Sequence, residues 1–293
     1  MPADDRRSDF GAHRPGPVAA ALIRLAQGAP ANAAGKQLAH ALRGCALGLA
    51  RLPLDVTVGE VRLRAHVGDN YSEKKFIFTP WRFDAREREH LRAALPPDGV
   101  FVDIGANVGI HSLLVATHLG DDGRILAFEP NPPAYERLRF NLEATRAGRE
   151  HWPTVRTLPI GVSEADDEFE LHVLPGDLGG SSLVPGGRDG AHAASEHAGG
   201  AAAHTVRVRC RPLLDVLDDE DITRIDALKI DIEGAEDAAL VPFLEAADSD
   251  RLPRVIVMEN SEDQWTRDLP GALERRGYTV AMRSRMNSVY ALA

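Results

Sequence analysis

Apolar residues recur with two different periods along this chain, and the two periods alternate from about residue 100 onwards. Short apolar runs are typical of buried strands, whereas apolar residues at every third or fourth position indicate amphipathic helices. We predict strands at residues 101–104, 124–129, 155–160, 168–174, 205–210, 225–232 and 254–259. We predict helices at residues 108–119, 133–145 and 235–243, with further helical sequence after residue 259. This alternation predicts an α/β fold with a doubly wound, mostly parallel sheet.

The segment before this sheet carries patterns of its own. Residues 1–17 combine proline, glycine and charge without periodicity, so we expect them to be disordered. The elements that we predict next are two short amphipathic helices (18–27 and 36–52), a β-hairpin (55–67), a strand (75–79) and a helix with Asp84 as its N-cap (84–95). For the two helices we favour a lid packed on the main domain over a homodimer contact or a membrane-surface helix.

The second half of the chain contains one stretch without a strand or helix pattern. Residues 186–204 are rich in glycine and alanine, and we expect a flexible loop there. Residues 278–282 and 288–292 predict a C-terminal antiparallel hairpin. The chain therefore divides into a disordered terminus (1–17), an extension of helices and a small β element (18–83), and a main domain (84–293).

Charge and cysteine content limit the classes of function. The net charge of the 293-residue chain is −10, which argues against a nucleic-acid-binding surface and favours a small-molecule substrate. Cys45 and Cys210 are far apart and offer neither a disulfide framework nor zinc-ligand spacing, so we expect a reducing, cytoplasmic environment. Arg24 interrupts the apolar run at residues 18–23, and we predict neither a signal peptide nor a membrane span.

A glycine turn follows the strand at 101–104 and opens the helix at 108–119. Its spacing is Gly-x-x-x-Gly, at Gly105 and Gly109, whereas dinucleotide-binding proteins carry Gly-x-Gly-x-x-Gly. Asp103 precedes the turn and suits a cationic group such as an amine or a sulfonium, whereas it would repel a pyrophosphate. The turn therefore favours S-adenosylmethionine over a nicotinamide dinucleotide.

Acidic residues stand at the ends of four of the predicted parallel strands, which is where ligands bind in such sheets. They are Asp103, Glu129, Asp231 and Glu259, the last followed by Asn260. Glu129 ends the second strand, in the position from which a carboxylate accepts hydrogen bonds from a ribose diol. We interpret these residues as the rim of a ligand site.

The stretch LKIDIEGAE contains the candidate catalytic residues. Lys229, Asp231 and Glu233 alternate, so we expect them on one face of the strand as it ends. A carboxylate there would act as general base on a substrate hydroxyl or as a ligand for Mg²⁺, and a structural salt bridge is the alternative. His111, in the first turn of the helix after Gly109, is a further candidate base or simply a helix-surface histidine.

The segments VDIGANVGIHSLLVA, AFEPNPPAYERLRFNL, GGSSL and LKIDIEGAE, in this order, resemble the FkbM family of S-adenosylmethionine-dependent methyltransferases. The resemblance covers roughly residues 75–293 and implies a Rossmann-like, seven-stranded sheet of the class I methyltransferase type. It implies cofactor contacts from Asp103, Gly105, Ala106, Asn107 and Gly109 (methionine part), Glu129 and the adjacent Pro130 (ribose), and Val162 and Ser163 (adenine). Asp231, Glu259 and Asn260 also resemble the magnesium ligands of metal-dependent methyltransferases.

The family resemblance implies O-methylation of a hydroxyl on a sugar or on a glycosylated or polyketide natural product. Two alternatives remain open at this point. An NAD(P)-dependent oxidoreductase or epimerase is disfavoured by the missing glycines. A non-catalytic partner protein of a biosynthetic complex is disfavoured because it has no need of four strand-end acids together.

Overall fold

The computed structural model describes residues 8–174, 177–182 and 204–293 of the chain. The helices are α1 (Pro17–Gln27), α2 (Ala33–Leu49), α3 (Tyr71–Phe78), α4 (Ala85–Ala94), α5 (Ile110–Ala116), α6 (Pro132–Arg146), α7 (Leu213–Asp219), α8 (Glu236–Ala246) and α9 (Leu269–Arg275). The strands are β1 (Leu54–Val58), β2 (Val61–Ala65), β3 (Val100–Ile104), β4 (Arg124–Phe128), β5 (Thr154–Leu158), β6 (Gly161–Val162), β7 (Asp167–Leu174), β8 (Asp177–Ser182), β9 (His204–Arg211), β10 (Ala227–Ile230), β11 (Val255–Glu259), β12 (Tyr278–Arg283) and β13 (Asn287–Leu292).

The central sheet has seven strands in the order β12-β13-β11-β10-β3-β4-β5. Strands β11, β10, β3, β4 and β5 are parallel, and β13 runs antiparallel to both β11 and β12. The Rossmann-like, doubly wound sheet with a C-terminal antiparallel hairpin is therefore confirmed. Because the parallel strands end at one edge, the residues after β3, β4, β10 and β11 meet there.

Successive residues of the parallel strands pack on opposite faces of the sheet. Phe101 belongs to the apolar cluster under α4, α5 and α6, whereas Val102 belongs to the cluster under α7, α8 and α9. Asp103 and Lys229 are register partners on β3 and β10, so both side chains lie on the α4–α6 face. This placement buries two charged groups beside each other within the sheet.

The N-terminal extension packs on the same face and shares its apolar cluster. Ile23 of α1, Ala39 of α2 and Leu63 of the β1–β2 hairpin are buried in it together with Leu113 of α5. The predicted division at residues 83 and 84 stays a prediction, as does a homodimer contact through α1 and α2. Among the helices in the described parts of the chain, none combines the length and the hydropathy that crossing a bilayer requires.

The prediction of disorder for residues 1–17 is wrong for residues 8–16, which are held by a buried ion pair. Arg64 donates to the main-chain oxygens of Ser8 and Asp9 at 2.9 and 2.8 Å. Asp55, the ion-pair partner of Arg64, accepts from the main-chain N–H groups of Gly11 and His13 at 2.6 and 3.0 Å. Hydrogen bonds with Asp55 and Arg64 of the β-hairpin thus hold this segment in place, although its sequence has no apolar periodicity. Residues 1–7, and residues 186–203 of the predicted loop, lie outside the described residues.

The predicted strand at residues 75–79 is wrong, because that segment is part of helix α3. Asn70 caps this helix by accepting a hydrogen bond from the N–H of Glu73. A short apolar run fits a buried helix as well as a strand, and Phe76, Ile77 and Phe78 are all buried. Helix α3 brings its first turn to the edge of the sheet where the parallel strands end.

A second sheet, in the order β6-β9-β7-β8, stands beside the first. Strands β7 and β9 confirm the predictions at 168–174 and 205–210, whereas β6, β8 and α7 lack a pattern that we recognised. Leu171, Val208 and Cys210 form its apolar side. Val162 of β6 and Leu171 of β7 reach the same cavity as the strand ends of the main sheet.

Candidate active site

A cavity lies at the edge where the parallel strands end and encloses about 880 Å³, part of which is open to solvent. The glycine turn, the ends of β4 and β10, strands β6 and β7, helices α3 and α5, and the segment just before α4 all contribute to its wall. The predicted site residues that line it are Gly105, Ala106, Asn107, His111, Glu129, Pro130, Val162, Lys229 and Asp231. Ser163 is not part of this wall, and its N–H donates to the carbonyl of Arg211.

The two glycines of the turn permit close packing within the protein. A Cβ on Gly105, whose φ is +75°, would lie 2.0 Å from the carbonyl oxygen of Asp231. A Cβ on Gly109, whose φ is +89°, would lie 2.4 Å from Cδ1 of Leu138 on α6. Gly105 therefore lets the turn lie against the end of β10, and Gly109 seats α5 against α6 without lining the cavity.

Glu129 is a buried carboxylate held by the main chain on both sides. Its Oε2 accepts from the N–H of Asn107 at 2.6 Å, and its Oε1 accepts from the N–H of Asn131 at 2.8 Å. Burial raises the pKa of Glu129 to about 7, although these two hydrogen bonds act in the opposite direction. A carboxylate has about four acceptor positions, so two remain for a ribose diol.

Asp103 does not line the cavity, contrary to the expected cofactor contact. Its side chain is fully buried, and Oδ2 accepts a 2.6 Å hydrogen bond from Oγ of Ser112. The Nζ atom of Lys229 is 3.8 Å from Oδ1. Because β3 and β10 are in register, Lys229 occupies the space in which a cationic ligand group was expected.

Lys229 links the buried carboxylate to the cavity. Its Nζ lies 3.2 Å from Oδ2 of Asp231 and 3.3 Å from the carbonyl oxygen of Gly105, to which it donates. Burial alone would lower the pKa of Lys229, but the carboxylates of Asp231 and Asp103 outweigh it and hold its pKa above the usual value. Lys229 is therefore an ammonium that orients Asp231, and it cannot serve as a base.

Three carboxylates come together beside the cavity, at the ends of β10 and β11. One oxygen each from Asp231, Glu233 and Glu259 lies within 4.8 Å of the other two. Of the predicted metal set Asp231, Glu259 and Asn260, the structure brings the two carboxylates together. Glu233 is a third carboxylate in this group. The amide of Asn260 accepts from the hydroxyl of Ser288 and donates to the carbonyl of Ser284, and its role as a metal ligand stays a prediction.

The expected alternation of Lys229, Asp231 and Glu233 on one strand face is not found. Strand β10 ends at Ile230, and Glu233 has a φ of +56° in the loop that follows. Of the four non-glycine residues with positive φ in the described part of the chain, three lie at this site: Asp84, Asn107 and Glu233. Such backbone strain is concentrated at functional sites in many proteins.

Glu236 supports this loop, a role that the sequence did not reveal. Its Oε1 accepts from the N–H groups of Ile232 and Gly234, at 3.0 and 3.3 Å. Its Oε2 accepts from Nε1 of Trp265 at 2.9 Å, and burial raises its pKa. Glu236 thus fixes the loop that carries Asp231 to the segment after β11. An acidic residue shortly after a glycine turn was the available signal.

Asp84 contributes a further charged group to the cavity wall. It stands in the predicted N-cap position, but its side chain makes no capping hydrogen bond. Its two oxygens accept from Nζ of Lys75 at 2.6 Å and from Nε2 of His111 at 3.2 Å. Burial alone would raise the pKa of Asp84, but His111 and Lys75 hold it below its usual range. The prediction that Asp84 caps α4 through its side chain is therefore wrong.

Comparisons with known proteins agree with this architecture. The family model described as "Methyltransferase FkbM domain" matches residues 103–284. Over 227 residues the chain is 32% identical to methyltransferase sdnD of Sordaria araneosa, and the aligned region covers 70% of this chain and 81% of that protein. Over 248 residues it is 31% identical to AMB antimetabolite synthetase AmbE of Pseudomonas aeruginosa, and the aligned region covers 74% of this chain but 11% of the synthetase.

Among solved structures, methyltransferase FkbM from Methylobacillus flagellatus KT resembles the chain with a TM-score of 0.42 at 17% identity, over 76% of this chain and 55% of that one. The family model begins at the strand-end residue Asp103 and extends past the third carboxylate, so it spans the sheet and the site together. The match to this family model excludes the alternative of a nicotinamide-dependent oxidoreductase. The chain belongs to the methyltransferase FkbM family and is an S-adenosylmethionine-dependent methyltransferase.

Proposed function

We propose that this methyltransferase acts on a hydroxyl oxygen of a sugar, or of a glycosylated or polyketide natural product. The observation that carries the proposal is the group of three carboxylates, Asp231, Glu233 and Glu259, of which Asp231 lines the cavity. Carboxylates accept hydrogen bonds from hydroxyl groups, so several of them together suit a polyhydroxylated acceptor. The match to a synthetase named for an antimetabolite supports an acceptor from natural-product metabolism.

The residues around the cavity have distinct roles in this reaction. When bound, S-adenosylmethionine supplies a methyl group on a positively charged sulfur, and this sulfur is the leaving group when an oxygen attacks the methyl carbon in line. An aliphatic hydroxyl has a very high pKa, so its proton must leave during the attack. We assign this proton to Asp231, whose side chain is 43% exposed and is oriented by Lys229 at 3.2 Å. Glu129 holds the ribose and takes no part in the proton transfer.

Mg²⁺ is the second candidate for activating the hydroxyl, because three carboxylate oxygens suit a hard cation. The ammonium of Lys229 weakens this alternative, since it already balances the charge of Asp231. With Asp231 as the base, we expect turnover to be unchanged in excess EDTA. Loss of turnover in EDTA, with recovery on adding Mg²⁺, would replace the base by a metal ion.

The reaction itself is tested with S-adenosylmethionine that carries a ¹³C-labelled methyl group and a panel of sugars, glycosides and polyketides. We expect NMR to detect the label as an O-methyl ether of one acceptor class. The matched control is the deoxy analogue of each acceptor that reacts, which should receive no label. A label found on nitrogen or carbon, with the same protein, would contradict O-methylation while leaving the methyltransferase family unaffected.

A further inference from the structure

Three charged or polar side chains form a connected group beside the cavity. Lys75 of α3, Asp84 before α4 and His111 of α5 are joined through the Asp84 carboxylate, at 2.6 Å to Nζ and 3.2 Å to Nε2. Lys75 and Asp84 precede residue 103, where the match to the family model begins. Asp84 and His111 line the same cavity as Glu129 and the glycine turn.

The backbone at Asp84 favours a ligand-binding role over a purely local one. Asp84 has φ +40° and ψ +46°, a left-handed conformation that costs free energy for a residue with a Cβ. It also leaves the first N–H groups of α4 without the cap that an aspartate in this position normally supplies. Both features direct the carboxylate to Lys75 and His111 instead, and so keep it in the cavity wall.

The aromatic ring of Phe83 fixes the geometry of the group. It lies 5.3 Å from the ring of His111, and Nζ of Lys75 lies 5.3 Å from its centroid. The imidazole Nδ1 is buried and has no hydrogen-bond partner in the described structure. The side chains of Lys75, Asp84 and His111 keep 35, 18 and 10% of their surface exposed, respectively. A partly exposed ammonium, one helical turn after the cavity-lining residue Ser72, therefore stands beside a carboxylate that lines the cavity.

This pairing of charges is complementary to an α-amino acid, which presents an ammonium next to a carboxylate. Asp103, the acid that the family resemblance suggested for the methionine part, is fully buried and already contacts Ser112 and Lys229. Asp231 contacts Lys229 as well. Of the acids that line the cavity, Asp84 is the one with a cationic neighbour on a partly exposed side chain that can pair with the carboxylate of the ligand.

We propose that Asp84, Lys75 and His111 bind the amino-acid end of S-adenosylmethionine, with Asp84 accepting from its ammonium and Lys75 donating to its carboxylate. The proposal rests on the cofactor of the family and is independent of the hydroxyl acceptor proposed above. It gives His111 a positioning role, in which it orients Asp84, and leaves the proton transfer to Asp231. It also means that the segment before the family domain completes the cofactor site.

The test compares two ligands by titration calorimetry on the intact protein. S-adenosylhomocysteine carries the amino-acid end, whereas 5′-methylthioadenosine has the same adenine, ribose and sulfur without it. We expect Asp84→Asn to weaken S-adenosylhomocysteine at least about tenfold, because a charged hydrogen bond is lost, and to leave methylthioadenosine within about twofold. The control variant Glu129→Gln, which changes the ribose contact, should weaken both ligands.

A third ligand separates the two charges and does not depend on how well one variant folds. The decarboxylated analogue 5′-(3-aminopropylthio)-5′-deoxyadenosine keeps the ammonium, so Asp84→Asn should weaken it whereas Lys75→Gln should not. Equal weakening of all ligands by Asp84→Asn would reduce Asp84 to structural support and overturn the proposal. If Asp84→Asn abolished turnover but left S-adenosylhomocysteine binding unchanged, the proposal would be overturned, and Asp84 and His111 would act in catalysis instead. Failure of the unaltered protein to bind any of them would refute the cofactor assignment itself.

Discussion

The main-chain N–H of Asn107 donates a 2.6 Å hydrogen bond to Oε2 of Glu129, which ties the glycine turn to the end of β4. Asn107 can make this bond because it adopts a φ of +53°, and its side-chain oxygen accepts from Nδ2 of Asn70 before α3. The turn, the strand end and the N-terminal extension thus meet at one asparagine. The protonation state of Glu129 therefore affects the cofactor site directly.

Cofactor affinity should depend on pH through Glu129. Its pKa of about 7 lies above that of a free glutamate, so its charge changes around neutral pH. Ribose hydroxyls that donate to the carboxylate favour the charged form, so affinity should rise with pH. We expect affinity for S-adenosylhomocysteine to increase about tenfold from pH 6 to pH 8, measured by calorimetry.

The variant Glu129→Gln is the control for that experiment. Glutamine does not titrate, so its weaker affinity should be constant over the same pH range apart from any titration of the ligand itself. A pH profile that is identical in the two proteins would mean that Glu129 is not the titrating group.

The main sheet was predictable because each strand has a local signature. The strands β3, β4, β10 and β11 are apolar runs that can be recognised in the sequence. Once the strands are located, the acidic residue at the end of each one is located as well. The group around Asp84 had no such signature. Asp84 resembles an ordinary N-cap, and its contacts with Lys75 and His111 depend on packing between α3, α4 and α5. The hydrogen bonds of Asn260 had no local signature for the same reason, because its partners Ser284 and Ser288 come from the C-terminal hairpin.

Replacing Gly105 by alanine should disturb the cofactor site and the stability together. The new Cβ would lie 2.0 Å from the carbonyl oxygen of Asp231, at a φ of +75° that alanine rarely adopts. We expect a loss of at least about 2 kcal/mol in the free energy of unfolding, and loss of S-adenosylhomocysteine binding. Urea denaturation and calorimetry measure the two effects.

Gly44→Ala is the matched control for Gly105→Ala. Gly44 lies inside α2, and a Cβ there would have no atom within 4 Å. Alanine is favoured over glycine in a helix by about 0.5–1 kcal/mol, so this variant should be slightly more stable and bind the cofactor normally. Equal stability of both variants would contradict the close approach at Gly105.

Replacing Asp55 by asparagine should be strongly destabilising, because it leaves the buried guanidinium of Arg64 without its carboxylate. The Nε atom of Arg64 lies 2.7 Å from Oδ1 of Asp55, and both side chains are almost fully buried. We expect a loss of about 3–5 kcal/mol at pH 7, and faster proteolysis within residues 8–16. Asp218→Asn, in the exposed pair with Arg251, should change stability by no more than about 1 kcal/mol.

The same variant gives a prediction for acid pH. Burial alone would raise the pKa of Asp55, but Arg64 and the N–H groups of His13 and Gly11 lower it below its usual value. Stability from a depressed carboxyl pKa is present above the unfolded pKa and is lost as the pH falls through the folded pKa. The difference between the two proteins should therefore be full at pH 7 and shrink below about pH 4. A difference that stays constant on acidification would show that the carboxylate charge is not what stabilises the segment.

Asp231→Asn should separate chemistry from cofactor binding. Asparagine keeps the size of the side chain but cannot accept the hydroxyl proton, so turnover should fall about 10²–10⁴-fold. Affinity for S-adenosylhomocysteine should change little, because Lys229 retains its contacts with Asp103 and the carbonyl of Gly105. Glu129→Ala should show the opposite pattern, and Asp250→Asn, an exposed substitution outside the cavity wall, should change neither quantity. If turnover and affinity fell together in Asp231→Asn, Asp231 would belong to the cofactor site, and the base would have to be sought in Glu233 or Glu259.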